Sequence, residues 1–153
     1  MEIADLLSPE AVISHLKASG KKQVLQEMAH KAAALTRLPE RRIFETLSER
    51  EKLGSTGMGQ GIAIPHGRVA GIEKMTGLFA QLDQPVDFDA MDDQPVDLVF
   101  LLLAPETAGA DHLKALARVA RLLRDADIAR KLRESRDAEA LYAVLAMPSA
   151  SAA

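Results

Sequence analysis

Between Gly20 and Pro39 the apolar residues Val24, Leu25, Met28, Ala32 and Leu35 recur at the spacing that gathers a stripe on one face of a helix. The pattern predicts an amphipathic helix that ends before Pro39, because the residue preceding a proline is pushed out of helical geometry. Pro39 opens a second helix, with Ile43, Phe44 and Leu47 on one face and Glu45, Glu49, Arg50 and Glu51 elsewhere. Upstream, Ser8-Pro9-Glu10 reads as a helix start: a serine placed to cap, a proline at the first helical position and an acid near the positive dipole end. Ile13 and Leu16 then suggest a short first helix. Strand signals follow. Ile62-Ala63-Ile64 is a short buried strand stopped by Pro65-His66-Gly67, Met75 to Leu82 is a second, and Val96 to Leu103 a third. The third is apolar almost throughout, which implies cover on both faces. Asp83 to Gln94 reads as a loop or hairpin excursion with room for a short edge strand around Val86–Phe88. A long helix is expected to carry Leu113, Leu116, Ala117, Ala120 and Leu123 on its apolar face. Shorter helices begin near Asp127 and Asp137, the latter presenting Leu141, Val144 and Leu145 behind an aspartate cap.

Helices, then strands, then helices predict a single α/β (α+β) domain over residues 1–147, a mixed β-sheet with helices packed on both faces. The tail, residues 148–153, has little to bury and is expected to be a flexible terminus. Composition agrees with one compact domain: of 153 residues 48% are hydrophobic and 27% charged. With 3% aromatic residues and no Trp, aliphatic side chains must fill the interior. The formal net charge of -3, without a basic stripe, argues against nucleic-acid binding. Zero cysteines exclude disulfides and thiolate chemistry. The amino terminus lacks the charged flank and apolar run of a secretory signal, and the longest apolar run, Leu98 to Ala104, is too short to cross a bilayer. A soluble, cytoplasmic protein is expected.

The strongest chemical signal joins the run Gly54-Ser55-Thr56-Gly57-Met58-Gly59-Gln60-Gly61 to a histidine at a strand end, His66. The glycines give turn freedom and backbone amides but almost nothing to bury. An unprotonated imidazole can attack phosphorus through a ring nitrogen, and the resulting phosphoramidate is labile enough to be passed on. Loop amides, the Thr56 hydroxyl and the Arg50 guanidinium are donor types that hold phosphoryl oxygens. Local pattern also allows a blander reading, in which Pro65-His66-Gly67 is a turn with a polar tip. His112 falls in the first turn of the long helix, where the dipole favours a neutral ring able to donate one hydrogen bond; it too can be a plain first-turn residue. His15 and His30 fall in predicted helices without companions. The glycine run lacks the ending of a P-loop and precedes a strand, which disfavours nucleotide binding. Asp83, Asp87, Asp89, Asp92 and Asp93 lack the spacing of an EF-hand, no zinc set is present, and no nucleophile elbow supports a serine hydrolase.

Taken as an ordered whole, Arg50-Glu51-Lys52-Leu53-Gly54-Ser55-Thr56-Gly57 running into Gly61-Ile62-Ala63-Ile64-Pro65-His66-Gly67 resembles the EIIA proteins of the phosphoenolpyruvate phosphotransferase system, and among them the nitrogen-regulatory branch. The resemblance continues through Phe88-Asp89-Ala90 and Gln94-Pro95-Val96-Asp97-Leu98 to His112-Leu113 and the terminal helices. It implies that His66 is the phosphorylated histidine, its Nε2 receiving phosphate from the phosphohistidine of a small HPr-like carrier. His112 then matches the second histidine, which supports the phosphoryl group without carrying it, and Arg50 a cation of the same pocket. Thr56, Gly57, Gly59, Gln60 and Gly61 match the phosphate-side loop. Gln60 stands where relatives often have Asn; Arg68 stands where others have Lys or another residue and is a docking candidate only. The implied chemistry is in-line phosphoryl transfer between imidazoles through a loose transition state, with no cofactor, metal or nucleotide required.

Two outputs fit that resemblance. Phosphorylation adds about two negative charges at one spot, which can regulate a partner such as a potassium-transport or sensor-kinase component. Alternatively, the protein relays phosphate to a separate EIIB for a fructose- or mannitol-type sugar. The absence of a fused EIIB segment leans toward regulation. A binding module in which the glycine loop only shapes a ligand surface is the third possibility.

Overall fold

The computed structural model describes residues 2–147, so the expectation for the tail lies outside the described residues. Five strands run in the order β1 (Val12–Leu16), β5 (Thr76–Val86), β6 (Val96–Ala104), β3 (Ile62–Ala63) and β2 (Gly57–Gly59), and a sixth, β4 (His66–Arg68), also pairs with β6. β1 is parallel to β5, β5 antiparallel to β6, β3 and β4 both parallel to β6, and β2 antiparallel to β3. The mixed sheet and the single domain are therefore as the pattern predicts. The helices are α1 (Ile3–Leu6), α2 (Lys21–Thr36), α3 (Glu40–Lys52), α4 (Ala110–Arg124), α5 (Ala126–Glu134) and α6 (Ala138–Ala146). Every residue of β6 from Leu98 to Ala104 is buried. Since successive side chains of a strand point to opposite faces, this strand is covered on both.

Several elements differ from expectation. Ser8 starts only a single 3-10 turn, Pro9–Ala11, and Ile13 and Leu16 lie on β1, not on a helix. Their spacing suited either state, and pairing with β5, Val12 opposite Phe79 and Ile13 opposite Ala80, decides for strand. His15 accordingly sits on a strand, whereas His30 lies within α2. The second strand runs on past Leu82 to Val86, which pairs with Val96, so no separate edge strand forms around Val86–Phe88. The α4 stripe is rotated from the predicted one. His112, Ala115, Val119 and Leu123 are buried, Leu116 and Ala120 are partly so, and Leu113 is 68% exposed. A histidine takes the inward place that apolarity alone would give to Leu113.

The expected stop at Pro65-His66-Gly67 is instead a continuation. Ile62 pairs with Leu98 and His66 with Leu102, four residues apart on each side, so register is kept through the proline. Pro65 has no N–H to offer, but its carbonyl accepts from Leu102 N–H at 2.9 Å and preserves the ladder. His66 is thus fixed to the central strand of the core.

Candidate active site

His66 is half-buried at the start of β4, and two contacts settle its tautomer. Nδ1 lies 2.8 Å from the Ile64 carbonyl oxygen, an acceptor only, so Nδ1 carries the proton and donates. Nε2 is left with a lone pair, which accepts from Arg50 Nε–H at 3.2 Å. Arg50 is anchored independently, NH1 donating to the Gly54 carbonyl at 3.0 Å. Its Nε can leave the ring without the side chain losing its hold.

Arg50 sits on α3, which packs against β4. A Cβ at Gly67 would lie 2.6 Å from Thr46 Cγ2. Thr46 stands one helical turn before Arg50, so the bare backbone at Gly67 lets α3, the helix that carries Arg50, pack directly on β4.

His112, 8% exposed, lies in the first turn of α4 with its ring centroid 5.6 Å from that of His66, the planes at 74°. Its Nδ1 accepts from Arg68 Nε–H at 3.4 Å, and its Nε2 is buried with no hydrogen-bond partner. Burial holds both imidazoles below their ordinary pKa. For His66 the Arg50 guanidinium pushes the same way, against the Ile64 carbonyl and the Glu51 carboxylate; for His112 the His66 ring and Arg68 add to the lowering. Both rings are accordingly neutral near pH 7.

A cavity of about 340 Å³ opens beside His66. Arg50 and Arg124 line it, together with Thr56, Gly57 and an apolar rim of Met58, Met91, Leu116 and Ala120, and no carboxylate does. Met91, 86% exposed, projects from that rim. Thr56 and Gly57 thus border the space next to the imidazole, but the Thr56 N–H and hydroxyl both donate to Glu51, at 2.9 and 2.6 Å. Gly59, Gln60 and Gly61 do not line the cavity. They form the tip of the β2–β3 hairpin, with positive φ at all three, and are tied elsewhere: Gln60 N–H donates to Asp92 and its carbonyl accepts from Arg133. At Gly61, φ +79°, a Cβ would meet Arg133 and Asp97 at 2.5 and 2.8 Å, so only glycine closes this tip.

Three residues of the site had no place in the sequence reading as site residues. Glu51, buried, accepts from Thr56 twice and from Lys21 Nζ at 3.2 Å, and so shapes the loop that borders His66. The signal was present: Ile43, Leu47 and Glu51 are spaced by four, which puts an acid on the buried stripe of α3. Lys21 and Arg124 gave none, since each is one cation among many on a helix.

A loop-bordered imidazole with a bare nitrogen, a second neutral imidazole beside it and two arginines in the adjoining cavity can accept and hold a phosphoryl group. The family model for the phosphoenolpyruvate-dependent sugar phosphotransferase system, EIIA 2, matches residues 5–147. The chain belongs to that EIIA family. Within it, the chain is 66% identical over 153 residues to a "Nitrogen regulatory protein" of Bradyrhizobium diazoefficiens, covering 100% of both chains. The structure of nitrogen regulatory protein IIA-Ntr from Neisseria meningitidis superposes on this EIIA with a TM-score of 0.88 at 39% identity, over 94% of this chain and 98% of that one. At 20% identity the fold extends to the mannitol EIIA of Escherichia coli, solved in complex with phosphorylated enzyme IIB, with a TM-score of 0.78 over 92% and 99% of the two chains. Among the described residues of the EIIA chain no helix is long and apolar enough to cross a membrane.

Proposed function

We propose that this EIIA is a cytoplasmic phosphocarrier in which Nε2 of His66 takes a phosphoryl group from the phosphohistidine of an HPr-like protein, and that its phosphorylation state signals to a nitrogen- or potassium-related target. The observation that carries the reading is the tautomer. Nδ1–H bound to the Ile64 carbonyl leaves Nε2 as the nucleophile, on a ring that lines a cavity with no carboxylate side chain among the described residues.

In the transfer, the bond from phosphorus to a donor ring nitrogen breaks as the bond to His66 Nε2 forms. The donor ring keeps the proton on its other nitrogen and leaves as neutral imidazole. His66 keeps its Nδ1 proton and becomes a phosphoimidazolium, so no proton moves overall. Arg50 Nε lets go of Nε2 and, with NH1 still on Gly54, turns to the phosphoryl oxygens, where charge-assisted bonds stabilise the in-line transition state. The buried Nε2 of His112 gains a partner in the same group. The apolar rim of Met58, Met91 and Leu116 offers the carrier a dry contact around the reacting nitrogen. A regulatory output is favoured by the name that the relative at 66% identity bears.

Incubation with phosphoenolpyruvate, Enzyme I and an HPr-like carrier tests the reading. Wild type and His112→Ala acquire an acid-labile, base-stable phosphate and His66→Ala does not; an unlabelled wild type rejects it. Phosphate then lost to an added EIIB marks sugar relay, whereas retention with EIIB and altered binding to a potassium-transport or sensor-kinase component marks regulation.

A further inference from the structure

Arg68 lies two residues after His66 on β4, so strand alternation puts both side chains on the same face of the sheet. There it meets the other imidazole. Its Nε donates to His112 Nδ1 at 3.4 Å, and its NH2 to the Gly109 carbonyl, just ahead of α4, at 3.5 Å. A guanidinium can only donate. The nitrogen that faces it must therefore be a lone pair, and the His112 proton must sit on Nε2, the atom that is buried and without a partner.

We propose that Arg68 is a positioning residue that holds His112 as the Nε2–H tautomer, a donor prepared in advance for an oxygen of a phosphoryl group on His66. The inference rests on the phosphocarrier reading and adds a device to it. A buried N–H without an acceptor is unfavourable in the unphosphorylated protein, so something must keep the proton there. Arg68 does so from the outside: the residue is exposed, and its Nε meets the ring. Without it the proton gains by moving to Nδ1, on the side of the exposed Arg68 where water can reach. His112 would then present a lone pair to a phosphoryl oxygen, and two electron-rich atoms would repel where one should donate. The Gly109 contact bridges the start of α4 to β4 and fixes the ring's distance from His66, whose centroid is 5.6 Å away. Arg68 thereby acts through His112, and the strand that carries the nucleophile also sets the tautomer of its neighbour.

The test uses the full chain labelled with nitrogen-15 in its histidine rings, at a pH where both are neutral, read by long-range proton–nitrogen correlation. In wild type, His112 Nε2 gives the shift of a protonated ring nitrogen and Nδ1 that of a bare one. In Arg68→Met both shifts move toward each other as the Nδ1–H form is populated, and Arg68→Lys, which keeps a donor, restores most of the wild-type pattern. Phosphoryl loading at saturating HPr-like carrier falls about tenfold or more in Arg68→Met, with little change in the carrier concentration at half-maximal rate. Identical His112 shifts in wild type and Arg68→Met overturn the proposal. So does a wild-type His112 protonated on Nδ1, or a variant in which only the half-saturating concentration rises, the mark of a docking residue. Wild type that shows the Nε2–H pattern but takes no phosphate overturns the phosphocarrier reading, and with it the purpose assigned to the tautomer.

Discussion

Gln81 on β5 and His112 on α4 are both buried polar residues, 6% and 8% exposed, yet their surroundings are opposite in kind. Every contact of Gln81 closes a bond. Its Oε1 accepts from His15 N–H, and its Nε2 donates to the Leu132 and Ser135 carbonyls at 3.0 and 2.8 Å, joining β1, β5 and the end of α5. His112 has one long contact and an Nε2 with no partner. Two such residues at similar depth differ in what they leave open: Gln81 ties three elements together, whereas His112 Nε2 is left free for the phosphoryl contact proposed above. Glu51 belongs with Gln81, since its carboxylate is fully used by Thr56 and Lys21.

Substitutions at the two positions should therefore act on different measurements. The largest effect is expected for His112→Leu, which lowers the phosphoryl loading rate about 10² to 10³-fold by removing one donor to the transferring group. Its melting temperature should not fall, because an unpaired buried N–H disappears along with the ring. A marked loss of stability would place His112 with Gln81. Gln81→Ala should do the reverse, costing about 2–4 kcal/mol in denaturant unfolding by taking away the side-chain partner of the His15 N–H and of the Leu132 and Ser135 carbonyls. Its loading rate, measured well below the unfolding transition, should stay within about twofold, as expected for distant sites without shared partners. Glu51→Gln stands between them. It should cost about 1–3 kcal/mol and slow loading several-fold, because the amide cannot accept everything that Thr56 and Lys21 donate.

The smallest effect is a displacement along the pH axis. Burial, with help from Arg50, holds His66 below the ordinary imidazole value of about 6.5. Nε2 therefore stays mostly unprotonated at pH 6.5, and half of the loading is lost only at more acid pH, as protons bind. The linked stability has the same sign. The unfolded chain binds the proton first, so this contribution is fully present above about pH 6.5 and is lost as pH falls through the lowered value. Loading that already halves at about pH 6.5 or above would show that the ring is not held in its neutral form.

The sequence pattern was a good guide where one period dominated. The helices α2 and α3 and strand β6 are legible because their burial is uniform, on one face for the helices and on both for the strand. It misled where tertiary pairing overrode local signals. Ile13 and Leu16 became strand through β5, and Pro65 looked like a stop because its lost N–H is plain in the sequence while the Leu102 partner of its carbonyl is not. At the site, His66, His112 and Arg50 come together with Thr56 and Gly57, whereas Gly59, Gln60 and Gly61 serve the hairpin tip. Glycine runs advertise backbone freedom without saying whether a ligand or a turn uses it. The contact of Arg68 with His112 was out of reach of sequence, since a cation two residues beyond a histidine gives no hint of a second ring 44 positions away.

The central claim is that Nε2 of His66 is the atom that receives phosphate. Phosphorus–nitrogen coupling in the phosphorylated protein, labelled with nitrogen-15 in its histidine rings, reads that bond directly. The account predicts coupling to Nε2 of His66 with the proton still on Nδ1; coupling to Nδ1, or a phosphate on His112 or any other residue, would contradict it.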